Sequence, residues 1–155
     1  MNHIIGIGNY SMYDDSIGIR VIEHIHQINQ GSWEFPRFAA IEIGGNLLNL
    51  LSYFHPEVES ILFVDSAKMQ QAPGSYRIFE LNEVENSSKE FSNISTHEGD
   101  LLKIIALARK TDYHIPPIKI MGIEPMEMRN EIGLSPLLAA HLLHYARVAV
   151  SLVAI

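Results

Sequence analysis

The sequence predicts an α/β fold of three layers, a twisted and mainly parallel sheet of about five strands with one antiparallel member and helices on both faces. Three observations carry this. Ser60-Ile61-Leu62-Phe63-Val64 is a continuous apolar run ending on Asp65, the pattern of a central parallel strand covered on both sides. His3-Ile4-Ile5 is a second such run, followed by a segment whose Ile17, Val21, Ile22, Ile25 and Ile28 recur on one helical face. Further strand-like runs at 37–43, 76–81 and 118–123 are each followed by a helix-like segment, the order of an α/β chain.

The first strand hands over to the first helix through a loop from Gly6 to Gly18, which sets the adjacent carboxylates Asp14 and Asp15 at a strand's carboxyl end. In open α/β sheets that edge is where ligands bind. Gly31 and Pro36 punctuate a turn. Residues 37–43 read as the second strand, ending at Gly44-Gly45-Asn46, and 47–51 as a short helix that His55-Pro56 stops. The third strand then delivers Asp65 to the same edge as Asp15. Only about ten residues separate Asp65 from the next strand, at 76–81, too few for a parallel crossover, so that strand is expected to run antiparallel.

Residues 82–93 are polar, a loop or a short helical piece. Ser95 and Glu98 have capping-box spacing ahead of a helix whose buried side is Leu101, Leu102, Ile104, Ile105, Leu107 and Ala108, which places His97 in its first turn. Pro116-Pro117 introduces the last strand, 118–123. Ser135-Pro136 begins the last helix, with Pro where a first turn tolerates it.

With 155 residues, 47% hydrophobic and 19% charged, the whole chain, 1–155, is expected to form one domain with a sizeable core. A formal net charge of -7 without a cluster of Lys and Arg argues against nucleic acid or an anionic membrane as partner. There is no cysteine, so a disulfide, a thiol nucleophile and a thiolate metal site are all excluded, and any metal must be held by His, Asp or Glu. No basic segment leads into an apolar stretch at the N-terminus, which makes a cytoplasmic location the expectation. Residues 137–155 are apolar, yet His141, His144 and Arg147 interrupt them centrally, so they read as a buried helix rather than a membrane anchor.

Asp15, Asp65 and His97 are the candidate site, three potential ligands from three loops that converge if the fold is as described. Two carboxylates and an imidazole would neutralise a divalent cation and leave positions open for water or a substrate atom. The positive end of a helix favours the neutral imidazole that binds metal. Simpler roles compete: Asp15 as a first-turn acid, Asp65 in an Asx turn, His97 as a solvated residue of a capped turn. His141 and His144 stand at i and i+3 without a surrounding H-E-x-x-H, and no G-x-S-x-G occurs. A dinucleotide fingerprint would need glycine where Ser11 stands, and Asp14 and Asp15 would repel a pyrophosphate; a nucleotide-binding α/β protein is therefore the weaker alternative.

The opening loop resembles that of the nickel-iron hydrogenase maturation endopeptidases, G-[IV]-G-N, four residues, an Asp, an Asp or Glu, then x-[IA]-G, and every position is filled from Gly6 to Gly18. The likeness continues in order and spacing. Phe63-Val64-Asp65-Ser66-Ala67 with Ala72-Pro73-Gly74 is similar to the family's [IV]-x-D-A segment and its downstream P-G. Ser95-Thr96-His97 resembles S-x-H, Gly122-Ile123-Glu124-Pro125 resembles G-[IV]-[QE]-P, and Gly133-Leu134-Ser135-Pro136 resembles G-L-[ST]-P.

What the resemblance implies is an endopeptidase that removes a short C-terminal extension from the precursor of a hydrogenase large subunit once nickel is in place. It implies that Asp15, Asp65 and His97 are the metal-contacting and catalytic residues, that the nickel is the substrate's own, and that the site docks it and orients the adjoining peptide bond for attack by water. A non-catalytic module that senses nickel or the precursor would keep the same three ligands. One departure stands out. Where the family has D-G-G-T, a loop associated with substrate recognition, this chain has Ile43-Gly44-Gly45-Asn46, with its nearest acid at Glu42. Gly44, Gly45 and Asn46 are the expected recognition residues, the glycines allowing close approach of a docked peptide.

Overall fold

Consecutive apolar residues in a strand must be buried on both of its faces, and two strands here carry such runs. The computed structural model describes residues 1–28, 38–44, 46–86 and 96–153. In β1 (Asn2–Ile7) and β3 (Ser60–Ser66), successive side chains point to opposite sides of the sheet. Ile5 and Phe63 enter one core, and Ile4, Leu62 and Val64 enter the other. Helices therefore cover both faces. On one side lie α1 (Ile17–Ile28), α4 (Pro136–Ala140) and α5 (Leu142–Val153), which contribute Val21, Ile22, Leu138 and Ala149. On the other lie a 3-10 helix (Leu47–Tyr53), α2 (Leu81–Asn86) and α3 (Thr96–Lys110), contributing Leu50, Val84 and Ile105.

With β2 (Phe38–Ile43), β4 (Tyr76–Glu80) and β5 (Ile118–Ile123), the sheet has five strands in the order β2-β1-β3-β5-β4. All neighbours are parallel except β4, which pairs antiparallel with β5, Tyr76 opposite Ile123 and Glu80 opposite Lys119. The short connection after Asp65 thus has the consequence expected of it. The carboxyl ends of β1, β2, β3 and β5 share one rim, and Asp65 stands there opposite Gly122.

Gly18 decides how closely α1 approaches that rim. A Cβ at Gly18 would run into the carbonyl oxygens of Val64 and Ile7, and one at Gly6 into the carbonyl of Gly18. Only hydrogen at both positions lets the helix backbone lie directly on the strand backbones. The turn carrying Asp14 and Asp15 is drawn down over the strand ends as a result.

Several elements differ from the sequence reading. The last helix is two helices, broken at His141 (φ -99, ψ 4), whose N–H bonds the Leu138 carbonyl at 3.1 Å while its Nδ1 lies 2.8 Å from the Leu137 carbonyl. A side chain that competes for its own helix's carbonyls interrupts the helical ladder. The short helix expected at 47–51 is a 3-10 helix that runs on to Tyr53. Ile28 and Leu107, assigned to buried faces, are each 41% exposed. The turn at Gly31 and Pro36 and the Ser95 half of the capping box lie outside the described residues. Among the described residues, no helix is long and apolar enough to cross a membrane.

Candidate functional site

Asp15 arrives at the rim in a one-turn 3-10 helix, Tyr13–Ser16, wedged between β1 and α1. Gly8 permits this, since a Cβ there would meet the Asp15 carbonyl. Asp65 arrives as the penultimate residue of β3. Both are buried, at 8% and 3% exposure. The sequence expectation that they share an edge holds, and one residue joins them. Ser66 donates its backbone N–H to Asp65 Oδ1 at 2.8 Å and its hydroxyl to Asp15 Oδ1 at 3.0 Å. The second Asp15 oxygen accepts the Asn9 N–H at 3.1 Å, so the opening loop folds back onto its own acid.

His97 occupies the first turn of α3, as its position ahead of Leu101 predicts. Its side chain lies outside the described residues, and among those described no set of three or more His, Cys, Asp or Glu is grouped to hold a metal ion. The structure therefore brings together two of the three expected ligands. Of the three recognition residues, Gly44 is exposed at the end of β2, and a Cβ there would meet nothing within 4 Å. Asn46 is the N-cap of the 3-10 helix, its Oδ1 accepting the Leu48 N–H at 3.1 Å. Gly45 lies outside the described residues.

Two further acids organise the rim. Asp14, with no exposure, accepts the N–H groups of Met126 and Glu127 on one oxygen, both at 2.9 Å, and that of Ser135 on the other at 2.7 Å. Glu124 uses one oxygen to accept the N–H groups of Met69 (2.7 Å) and Gln71 (2.9 Å). Carboxylates that collect several backbone donors fix loops firmly, because such charge-assisted bonds are stronger than neutral ones. Tyr13, immediately before Asp14, has φ 52, a left-handed backbone that costs a bulky residue energy, and the Arg129 guanidinium stacks 4.0 Å over its ring. The signals for these roles were present in the sequence, as the second acid beside Asp15 and the acid of Gly122-Ile123-Glu124-Pro125. What they accept could be learned only from the folded chain.

Chemically, the rim offers two neighbouring carboxylates with fixed geometry. Hard oxygen donors of this kind suit a divalent cation or the activation of a water.

A family model described as hydrogenase maturation protease (HycI) matches residues 19–151. The chain belongs to the hydrogenase maturation protease family. It is accordingly a peptidase, a hydrolase of peptide bonds. Asp65 and His97 fall within the matched stretch, and the Gly6–Gly18 loop precedes it. Among curated relatives, the hydrogenase 2 maturation protease of Escherichia coli K12 is 27% identical over 139 residues, spanning 88% of this chain and 80% of that protein. The hydrogenase expression/formation protein HupM of Azotobacter chroococcum is 23% identical over 127 residues, which cover 82% of this chain but only 58% of HupM. The fold matches that of the hydrogenase maturating endopeptidase HybD from E. coli, with a TM-score of 0.80 and 23% identity across 97% of this chain and 90% of that one. It also matches a [NiFe] hydrogenase maturation protease HybD from Thermococcus kodakarensis, with a TM-score of 0.75 and 22% identity across 98% of both chains.

Proposed function

We propose that this maturation protease removes the C-terminal extension of a [NiFe]-hydrogenase large-subunit precursor after nickel has been inserted, and that it does so in the cytoplasm. The observation that carries the site assignment is the pairing of Asp15 and Asp65 through Ser66 at the sheet rim. In this reading the nickel belongs to the substrate. Asp15, Asp65 and His97 approach it, and the cation compensates two carboxylates that would otherwise repel each other.

Docking on the metal fixes the adjoining peptide bond relative to the rim, which converts binding into orientation. One carboxylate takes a proton from water as the water oxygen adds to the scissile carbonyl carbon. The C–N bond then breaks, and the proton passes to the departing amine. This makes the enzyme a metal-guided peptidase with acidic catalytic residues. Gly44, Gly45 and Asn46 are assigned to recognition of the precursor.

The test incubates the protein with nickel-loaded and nickel-free precursor and follows loss of the extension by mass spectrometry. Cleavage of the loaded form alone, lost in Asp15→Asn, Asp65→Asn and His97→Ala, is the expected result. A precursor that is bound in a nickel-dependent way but never shortened would instead identify a sensing module. Undiminished cleavage by any one variant would remove that residue from the site.

A further inference from the structure

Beyond Asp65 the same rim forms a recess of about 550 Å³ that the reading above leaves without a task. Lys68 and Gln70 line one side, and Glu124, Met126, Glu127 and Met128 line the other. Both walls are held by buried acids. Glu124 Oε1 takes the N–H groups of Met69 and Gln71, on either side of Gln70, whose φ of 58 is a left-handed conformation. Asp14 Oδ2 takes those of Met126 and Glu127. Strained backbone held by its surroundings, next to candidate catalytic residues, marks a shape that is maintained.

The lining is chemically specific. Met126 is 58% exposed, and Met128 is half-buried. Two thioethers make an adaptable apolar surface that fits aliphatic side chains of varied shape. The charges are unequal. Glu124 is engaged by two amides and Glu127 lies 3.4 Å from Arg129, whereas Lys68 has no ion pair among the described residues. Lys68 is three residues from Asp65, so its backbone lies within roughly 11 Å of that acid, about the span of three extended residues.

We infer that this recess is the subsite for the substrate chain beside the scissile bond. It takes an aliphatic side chain against Met126 and Met128 and the side-chain carboxylate of a nearby Asp or Glu on Lys68 Nζ. The inference rests on the peptidase assignment of the Asp15 and Asp65 rim and adds the class of sequence that rim prefers.

The test titrates the full chain, labelled with ¹³C at its methionine methyls, with a capped hexapeptide carrying Leu and, two positions later, Glu. Control peptides replace Leu by Ser or Glu by Gln. Saturable movement of the Met126 and Met128 signals is expected, with Kd at least fivefold weaker for each control peptide and for the parent peptide on Lys68→Gln. No saturable movement, or a change below fivefold in any of these, overturns the proposal. As a second measurement, Met126→Ser should raise KM for the nickel-loaded precursor at least fivefold while kcat stays within twofold; an unchanged KM also overturns it. The titration needs no cleavage, so the two assignments separate. A wild-type protein that binds the peptide but leaves the precursor whole fails as a peptidase and keeps the recess, and one that cleaves but does not bind the peptide loses the recess alone.

Discussion

Asp14 and Ser135 are 121 positions apart in the chain, yet the Ser135 N–H meets the Asp14 carboxylate at 2.7 Å. That carboxylate also receives Met126 and Glu127, so a single buried acid ties the loop after β1 to the segment leading into α4. Asp14→Ala would leave three donors without their acceptor, and each unsatisfied buried group costs about 1–3 kcal/mol. A loss of about 3–5 kcal/mol in urea unfolding is expected. Asp14→Asn keeps one oxygen and should lose about 2 kcal/mol. Hydrogen exchange locates the effect. The amides of Met126, Glu127 and Ser135 should accelerate first, while those in β1 and β3 keep their protection; equal acceleration everywhere would deny Asp14 this local role.

Ser66 is the joint between the two acids assigned to catalysis. Ser66→Ala keeps the backbone N–H on Asp65 but removes the hydroxyl from Asp15. The fold should survive, because the lost group is one small side-chain atom. Asp15 loses a donor that orients it. Processing of the nickel-loaded precursor is expected to slow about tenfold, equivalent to about 1.4 kcal/mol in the barrier. Full activity would show that the geometry of Asp15 does not depend on Ser66.

The sequence was most legible where one physical rule acts alone. The apolar run at 61–64 satisfies burial as a strand covered on both sides, and the short connection after Asp65 left only an antiparallel neighbour. Asp15 and Asp65 could be set on one rim for the same reason, since parallel strands end together. Competition between rules hid the rest. His141 lies in a good helical pattern and breaks it through its own ring, while Ile28 and Leu107 keep helical spacing yet stand 41% exposed towards the C-terminal ends of their helices. The service of Asp14 to residues 126 to 135 is a contact over more than a hundred positions, and no local pattern encodes its partner.

Gly18 and Gly44 should respond in opposite ways to the same methyl group. At Gly18 a Cβ would collide with the backbone oxygens of Val64 and Ile7, which belong to the sheet and cannot retreat. Overpacking of this kind typically costs about 1–3 kcal/mol, and contact with fixed backbone puts Gly18→Ala at or above the top of that range. At Gly44 a Cβ meets nothing within 4 Å, so Gly44→Ala should leave stability within about 0.5 kcal/mol. A Gly44→Ala protein of unchanged melting temperature whose KM for the precursor rises would support the recognition role. Equal KM and equal stability would remove Gly44 from that role.

Tyr145 reports on the same rim from the far side, through the turn at Ala72-Pro73-Gly74. Its ring is fully buried in α5, and its hydroxyl donates to the Gly74 carbonyl at 2.6 Å. Burial, and after it the charge of Asp14, pushes the phenol up from its usual 10 to about 12. The sign follows from which state holds the proton. Below pH 10 both folded and unfolded chains keep it, and the contribution is present in full. Between pH 10 and 12 the unfolded chain releases the proton while the folded chain retains it, so stability falls as pH rises, by about 2–3 kcal/mol over the interval. Tyr145→Phe removes this dependence but leaves the Gly74 carbonyl without its donor, at a cost of about 1 kcal/mol at pH 7. Urea unfolding of both proteins from pH 7 to 12 should therefore show the Phe variant weaker at neutral pH, with the gap closing and then reversing above pH 11. Curves that stay parallel would mean that the Tyr145 hydroxyl titrates as it would in water, and that the bond to Gly74 does not hold its proton.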